Sequence, residues 1–326
     1  MKQIKVNWFI PVKHKNYNNM SASIWIRCLQ LIPYLKKLNI ACTINDLTTE
    51  ADISVFVRWQ NDKAYSLIEK SIAKGQKVIF DLCVNYLEPA GQIGKSYGSF
   101  PEQRKQALRM IEASDVVTCA SDFIRQRASK FHPNAAYIPD SIDQGHFKFK
   151  KDHQDFFRDS LTLVYAGVAS KADFLFKNIY PLIKKRGMKL MVLSDKRPRI
   201  WARYHYKKWR YEQFPQDILQ GEIGIAPRRT DNPYDKGHSI YKIGVYLAQS
   251  IPVLASPVPS YNKLLDKGAA GKICDSLPSW NEALNLVANN REILTKWSQE
   301  AYEIIKPYKS ETIADRYIQL FRRLLI

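Results

Sequence analysis

The stretch GHSIYKIGVYLAQSIPVLAS, residues 237–256, sets the reading of the whole chain. Gly237-His238-Ser239 is a small polar loop. Ile240, Ile243, Tyr246 and Leu247 then recur at i, i+3 and i+4 spacing, which predicts a helix. Pro252-Val253-Leu254-Ala255 reads as a short apolar strand entered through proline. A loop opening onto a helix N-terminus offers backbone N–H groups and the positive end of the helix dipole to an anion. Lys242 adds a cation one turn into the helix. The run suits a phosphate group.

On both sides of this run, strand-like and helix-like stretches alternate. In the first half, strands are expected over 5–12, 53–57, 77–82, 116–120 and 136–138, with helices over 23–38, 64–74, 102–113 and 122–130. Residues 146–159 are charged and lack periodicity, and read as a linker. A second series comes after it: strands over 161–165, 189–193 and 223–226, and helices over 172–185, 213–220, 280–288, 291–305 and 310–325. Such alternation means parallel sheets covered by helices, here in two doubly wound α/β domains over 1–150 and 151–308, with a last helix over 309–326. Ligands of such sheets sit beyond the carboxyl ends of the strands.

The 326-residue chain is 45% hydrophobic, enough for two real cores and far from disorder. No stretch approaches the ~18 consecutive apolar residues of a membrane span. The N-terminal MKQIKVNWFIPV lacks a small-residue cleavage site and reads as a first strand rather than a signal peptide. Five scattered cysteines without CxxC spacing argue against a metal site and for a reducing compartment. Lys and Arg number 50 against 31 acids, a formal charge of +19, which points to anionic partners. Residues 196–211, KRPRIWARYHYKKWRY, interleave basic and aromatic residues. Three readings stay open: a helix packing its rings on the domain, contact with an anionic membrane surface or an anionic acceptor, or nucleic acid, the last least favoured.

Tyr165-Ala166-Gly167-Val168-Ala169-Ser170-Lys171 follows a strand and precedes a helix, a second anion-binding arrangement. Together with Gly237–Lys242 it suits a diphosphate. Several further stretches resemble, in order, the family 4 glycosyltransferases of the GT-B fold. Ile223-Gly224-Ile225-Ala226-Pro227 resembles "DIGIxP". Lys242, Tyr246-Leu247-Ala248 and Ile251 to Ser256 resemble "KxxEYMAxGxPVVAS", and Tyr261, Gly268 and Gly271 fit the family's next segment, "Y…xxGxxG". Ala113 to Thr118 resembles "ADxVTxxS", and Ile138 to Asp143 resembles "IPNGID". The resemblance implies two Rossmann-like domains facing a cleft, with the C-terminal helix crossing back to the first. It also implies sugar transfer from a nucleotide-sugar donor, with retention, without metal and without a further cofactor. Gly237 and Val245 stand where many members carry two glutamates.

Lys242, Lys171 and His238 are the expected catalytic groups, stabilising the departing phosphate as charge develops on it. Gly167, Ser170, Ser239, Ile240, Arg228 and Asp235 are expected on the donor side. Ser239 presents its backbone N–H, and its hydroxyl, at the helix start. Asp235 is a nearby carboxylate that could replace a missing glutamate. Asp81 ends a strand and Asn85, Tyr86 and Glu88 follow it in a loop, while Ser23 and Arg27 sit where the first strand turns into the first helix; all six are expected on the acceptor side. For each, a solvated charge or a capping role is the alternative. The leading expectation is a cytoplasmic, bacterial-type enzyme of surface polysaccharide or lipopolysaccharide synthesis. It would act on an anionic, phosphorylated or lipid-linked acceptor at the inner membrane face. The rivals are a catalytically inactive relative that binds nucleotide or glycan, and a polyanion-binding protein.

Overall fold

Ile53–Val57, ISVFV, is buried at all five positions, as a strand must be when helices cover both faces of its sheet. The computed structural model, which describes residues 3–11, 21–89, 100–266 and 268–326, builds two such sheets. The first holds β1 (Ile4–Phe9), β2 (Ile40–Ile44), β3 (Ile53–Val57), β4 (Lys77–Leu82), β5 (Val116–Cys119) and β6 (Ala135–Tyr137). All are parallel, in the order β2-β1-β3-β4-β5-β6. The second holds β7 (Thr162–Ala166), β8 (Lys189–Ser194), β9 (His205–Lys208), β10 (Ile223–Ala226), β11 (Val253–Ala255) and β12 (Gly271–Ile273). These are also parallel, in the order β12-β11-β10-β7-β8-β9.

Most expected elements appear within two residues of their ends. Val12, the expected end of the first strand, lies outside the described residues. Other elements carry little signal in the sequence. β2 is an edge strand with only Ile40 buried, so its apolar pattern is weak. β12 has three residues, and the helices Pro233–Lys236 and Pro259–Leu265 are short and open on proline. The helical reading of 196–211 is corrected: that segment is an irregular loop followed by β9, which pairs His205–Lys208 with Met191–Ser194. Tyr206 and Lys207 are half-buried between exposed neighbours, a poor match to a helical stripe.

The chain forms two compact units. One comprises Met1–Ser141, Asn232–Ser239 and Tyr308–Ile326; the other comprises Ile142–Asp231 and Ile240–Pro307. Residues 146–159 belong to the second unit and are packed into it, with Phe147 and Phe156 fully buried. Buried Lys151 there donates to the Leu219 carbonyl at 2.8 Å and pairs with buried Glu222 at 3.1 Å. The helix Tyr241–Ala248 is buried at six of its eight positions. It ends with Ser250 N–H donating to the Leu247 carbonyl and Ile251 N–H to the Tyr246 carbonyl, both at 3.0 Å. That closure requires a left-handed residue, and Ser250 takes it at φ 61°.

In the first unit the interior is organised around a charge. Arg27, 1% exposed, lies in the π-helical turn Trp25–Leu29. Its Nε and Nη2 donate to both oxygens of fully buried Asp81 at the end of β4, Nη2 at 2.7 Å. Its Nη1 donates to the Ile138 carbonyl at 2.6 Å and reaches Asp140 at 3.3 Å. Thr118 on β5 and Tyr317 on the helix Ser310–Leu324 each donate to Asp81 at 2.8 Å. Burial opposes the Arg27 charge, but the carboxylates of Asp81 and Asp140 outweigh it and hold its pKa well above the usual range. Burial holds the Tyr317 phenol up as well, so it stays a donor. A second set of bonds seats the segment Asn232–Ser239 in this unit. Asn85 donates to the Pro233 carbonyl at 3.2 Å and Ser121 to the Gly237 carbonyl at 2.8 Å. Ser239 donates to Asp140.

These arrangements make stability testable at two positions. Arg27→Leu leaves Asp81 charged and buried without its partner, and should destabilise the protein by about 3–5 kcal/mol in denaturant unfolding. An unchanged midpoint would show that the ion pair carries none of this load. Ser250→Gly removes the left-handed strain and should stabilise by about 0.5–1 kcal/mol; a lowered melting temperature would contradict the assignment.

Candidate functional site

The second sheet reverses its strand order between β7 and β10, and ligands of doubly wound folds bind beyond the strand ends at such a point. β7 runs out at Ala166 and is followed directly by Gly167. Tyr246, from the helix Tyr241–Ala248, fills the gap between the two strands. Its ring lies against Gly224 of β10, where a Cβ would come within 2.5 Å of Tyr246 Cγ. Its hydroxyl accepts from Ala166 N–H at 2.9 Å. Burial pushes the Tyr246 pKa up, so the phenol remains neutral. One turn earlier on the same helix, Lys242 holds its ammonium 4.1 Å from the centre of the Tyr165 ring. A cation over a ring face is attracted by the ring quadrupole. A Cβ at Gly167 would lie 3.0 Å from Lys242 Nζ and 2.8 Å from Tyr165 Oη. Glycine is therefore the residue that lets the backbone after β7 meet this cation.

The other donor-side residues divide between the units. Lys171, half-buried, and exposed Ser170 lie on the short 3-10 turn Ala169–Lys171 beyond Gly167. Arg228 follows β10; its N–H donates to Ser256 Oγ at 2.9 Å and its Nε to Tyr261 Oη at 3.3 Å. Ile240 is the N-cap of the Lys242 helix and is 1% exposed, without a side-chain cap bond. Ser239, His238 and Asp235 lie in the first unit. The Ser239 hydroxyl donates to Asp140, and so does not cap the helix as expected. Asp235 is buried and accepts from the Asn232 amide at 3.0 Å, within the turn that starts Pro233–Lys236. His238 Nδ1 lies 3.1 Å from the Tyr234 carbonyl, and its ring packs edge-on against Tyr234. The two glutamate-vacant positions are filled by packing. A Cβ at Gly237 would lie 2.9 Å from Asn85 Cβ, and Val245 is 1% exposed.

On the acceptor side the structure corrects the expectation for Arg27 and Asp81. They are a buried ion pair of the core, not groups presented to a ligand. Asn85 and Glu88 belong to one local network: Asn85 donates to Glu88 at 2.9 Å, and Arg127 donates to the same carboxylate at 2.9 Å. Ser23 and Tyr86 are brought together by a residue that sequence reasoning missed. Arg58, directly after β3, donates to Ser23 Oγ at 3.0 Å and also to Ser21. Burial raises the Tyr86 pKa, and the charge of Arg58 and its hydrogen bond act against that rise. Arg58 sits at φ 53°, and no local turn residue marks it in sequence. Asp140 and Tyr165 were also missed as individual groups, although both lie inside motifs that the sequence displays. Among the described residues, no group of three or more His, Cys, Asp or Glu is placed to hold a metal ion.

No protein-family model and no curated protein matches the sequence. Solved structures do. HepE from Anabaena, in complex with UDP-glucose, superposes with TM-score 0.70 at 10% identity, covering 98% of this chain and 100% of that one. Sucrose-phosphate synthase from Thermosynechococcus elongatus gives 0.66 at 11% identity, with 98% and 99% covered. TarM, from S. aureus, gives 0.61 at 12% identity over 89% of this chain, which spans only 57% of TarM. At such identities the likeness is one of architecture, and it agrees with the two parallel six-stranded sheets. The chain has the GT-B fold, two Rossmann-like α/β domains.

Proposed function

We propose that the protein transfers a glycosyl group from a nucleotide-sugar donor. The observation that carries this is the placement of Lys242 on Tyr165 beside Gly167, at the strand-order reversal of a GT-B domain. A departing nucleoside diphosphate gains negative charge as the anomeric C–O bond breaks, and a pre-positioned cation lowers the cost of that charge. Lys242 is the principal donor-phosphate ligand. Lys171, Arg228 and the backbone at Gly167 contribute on the same unit. The family 4 motifs support a retaining, metal-independent reaction that needs no cofactor besides the donor. The solved relatives in complex with UDP-glucose or UDP make uridine nucleotides the first donors to test. The +19 charge supports an anionic, phosphorylated or lipid-linked acceptor. It fits a place in surface polysaccharide assembly, in the cytoplasm at a membrane face. The contact proposed is a peripheral one; no helix among the described residues is long and apolar enough to cross a membrane.

A second reading has a specific observation behind it. Gly237 and Val245 are packed positions without carboxylates, which favours a relative that binds nucleotide without turning it over. Two measurements decide. In a thermal-shift series, UDP or GDP should raise the melting temperature, and no response to any nucleotide would overturn the proposal. Sugar release from UDP-sugars then separates an enzyme from an inactive relative. Lys242→Ala should weaken nucleotide binding at least about tenfold, the scale of one lost charge-assisted phosphate contact; unchanged affinity would refute the phosphate assignment. Gly167→Ala should displace the Lys242 ammonium and weaken binding in the same direction, with the melting temperature of the nucleotide-free protein changed far less than by Arg27→Leu.

A further inference from the structure

The segment between β8 and β9 is an unusual crossover. Ten residues, 195–204, carry the chain from the end of one strand back to the start of its parallel neighbour. A helix normally makes such a connection. Here the loop is pinned in an irregular shape instead. Tyr180 Oη donates to the Arg203 carbonyl at 2.8 Å and accepts from Arg203 N–H at 2.9 Å. Tyr204 Oη donates to the Pro198 carbonyl at 2.6 Å, and Ala202 and Tyr204 pack on the core of the unit. With Pro198 buried and Ala202 and Tyr204 turned inward, the residues between them face out. Trp201 is 107% exposed and Ile200 is 39% exposed.

Charge surrounds this apolar tip. Residues 196–211 contain seven Lys or Arg and no acid. Lys196, Arg197, Arg199, Arg203, Lys208 and Arg210 are all exposed. Lys207 is the exception, paired with Asp217 at 2.7 Å. A fully exposed indole beside an aliphatic side chain, in a run of exposed cations, matches the chemistry of an anionic bilayer surface. Trp favours the headgroup level, and each nearby cation gains from the negative surface potential. A nucleic-acid surface would instead offer several open rings for stacking. Here Tyr204, Tyr206, Trp209 and Tyr211 are all half-buried, and Tyr204 is committed to the Phe176 ring at 4.9 Å.

We propose that the loop carrying Ile200 and Trp201, with the cations of 196–210, is a docking surface for anionic phospholipid headgroups. This rests on the peripheral membrane contact proposed above and gives it a location, and it uses none of the residues of the nucleotide site, so the two can fail separately. The test is flotation of the full chain with vesicles of phosphatidylcholine alone and of phosphatidylcholine with phosphatidylglycerol. The protein should float with the anionic vesicles only, and high salt should release it. Arg197→Glu/Arg199→Glu/Arg203→Glu should lower the partition at least about a hundredfold, from roughly fivefold per cation. Trp201→Ala should lower it severalfold without changing the melting temperature. A charge-matched control, Lys70→Glu/Lys105→Glu/Lys130→Glu, should keep most of the binding. Equal flotation with neutral vesicles, no effect of the loop variants, or an equal loss in the control would overturn the proposal. So would tighter binding to a single-stranded oligonucleotide that the same loop variants abolish. UDP thermal shifts on the same samples report separately on the donor site.

Discussion

The Arg27 guanidinium is the interaction on which the first unit depends. It gathers the first helical segment, the ends of β4 and β5, the chain after β6 and the C-terminal helix around one buried charge. A buried ion pair of this kind is weak evidence of net stability, because desolvation offsets much of the attraction. Its effect is specificity. Asp81 accepts from Arg27, Thr118 and Tyr317 together, and any other packing of these segments would strand a charge. Asp140 extends the network to Ser239. Burial raises the Asp140 pKa while Arg27 and the Ser239 hydroxyl act to lower it. The loop Gly237–Ser239, expected to serve as a free phosphate cradle, is therefore held by the interior of this unit.

In the second unit a close approach takes the place of a charge. Tyr246 lies flat on Gly224 and accepts from the backbone at the end of β7, which fixes the helix that carries Lys242. Gly167 then admits the ammonium to the strand end. Two glycines and two tyrosines thus set where the cation stands. The same packing explains the departure from the two-glutamate pattern. At Gly237 there is no room for a side chain without moving Asn85, and Val245 points into the core. These positions have been absorbed into packing, so a single carboxylate put back at either would be buried rather than presented.

The formal charge of +19 says that anions attract this protein, but it does not say where. Some cations are cancelled in surface pairs such as Lys77–Asp115 and Arg109–Asp62, which contribute little to stability. The segment 196–211 differs because it holds seven cations and no acid and displays a tryptophan on a pinned backbone. That contrast separates a charged surface from one built to meet a partner.

The sequence by itself determined the fold class and most strands, because period and apolar runs are local properties. Ile53–Val57, Lys77–Leu82 and Ile223–Ala226 appear in the structure with the ends read from sequence. It also assigned Lys242 and Gly167 to one donor side, through a loop–helix–strand pattern and a strand–loop–helix pattern. Tertiary structure alone decided the rest. Whether Arg27 and Asp81 face a ligand or each other depends on which strand ends meet in space, and spacing along the chain carries no such information. Residues 196–211 became a loop and an edge strand because β8 offered unsatisfied backbone groups to pair, a constraint invisible in composition. The Ser239 hydroxyl left the helix start for a carboxylate 99 residues away. Local pattern fixes elements; the partners of polar side chains are settled only when distant segments pack.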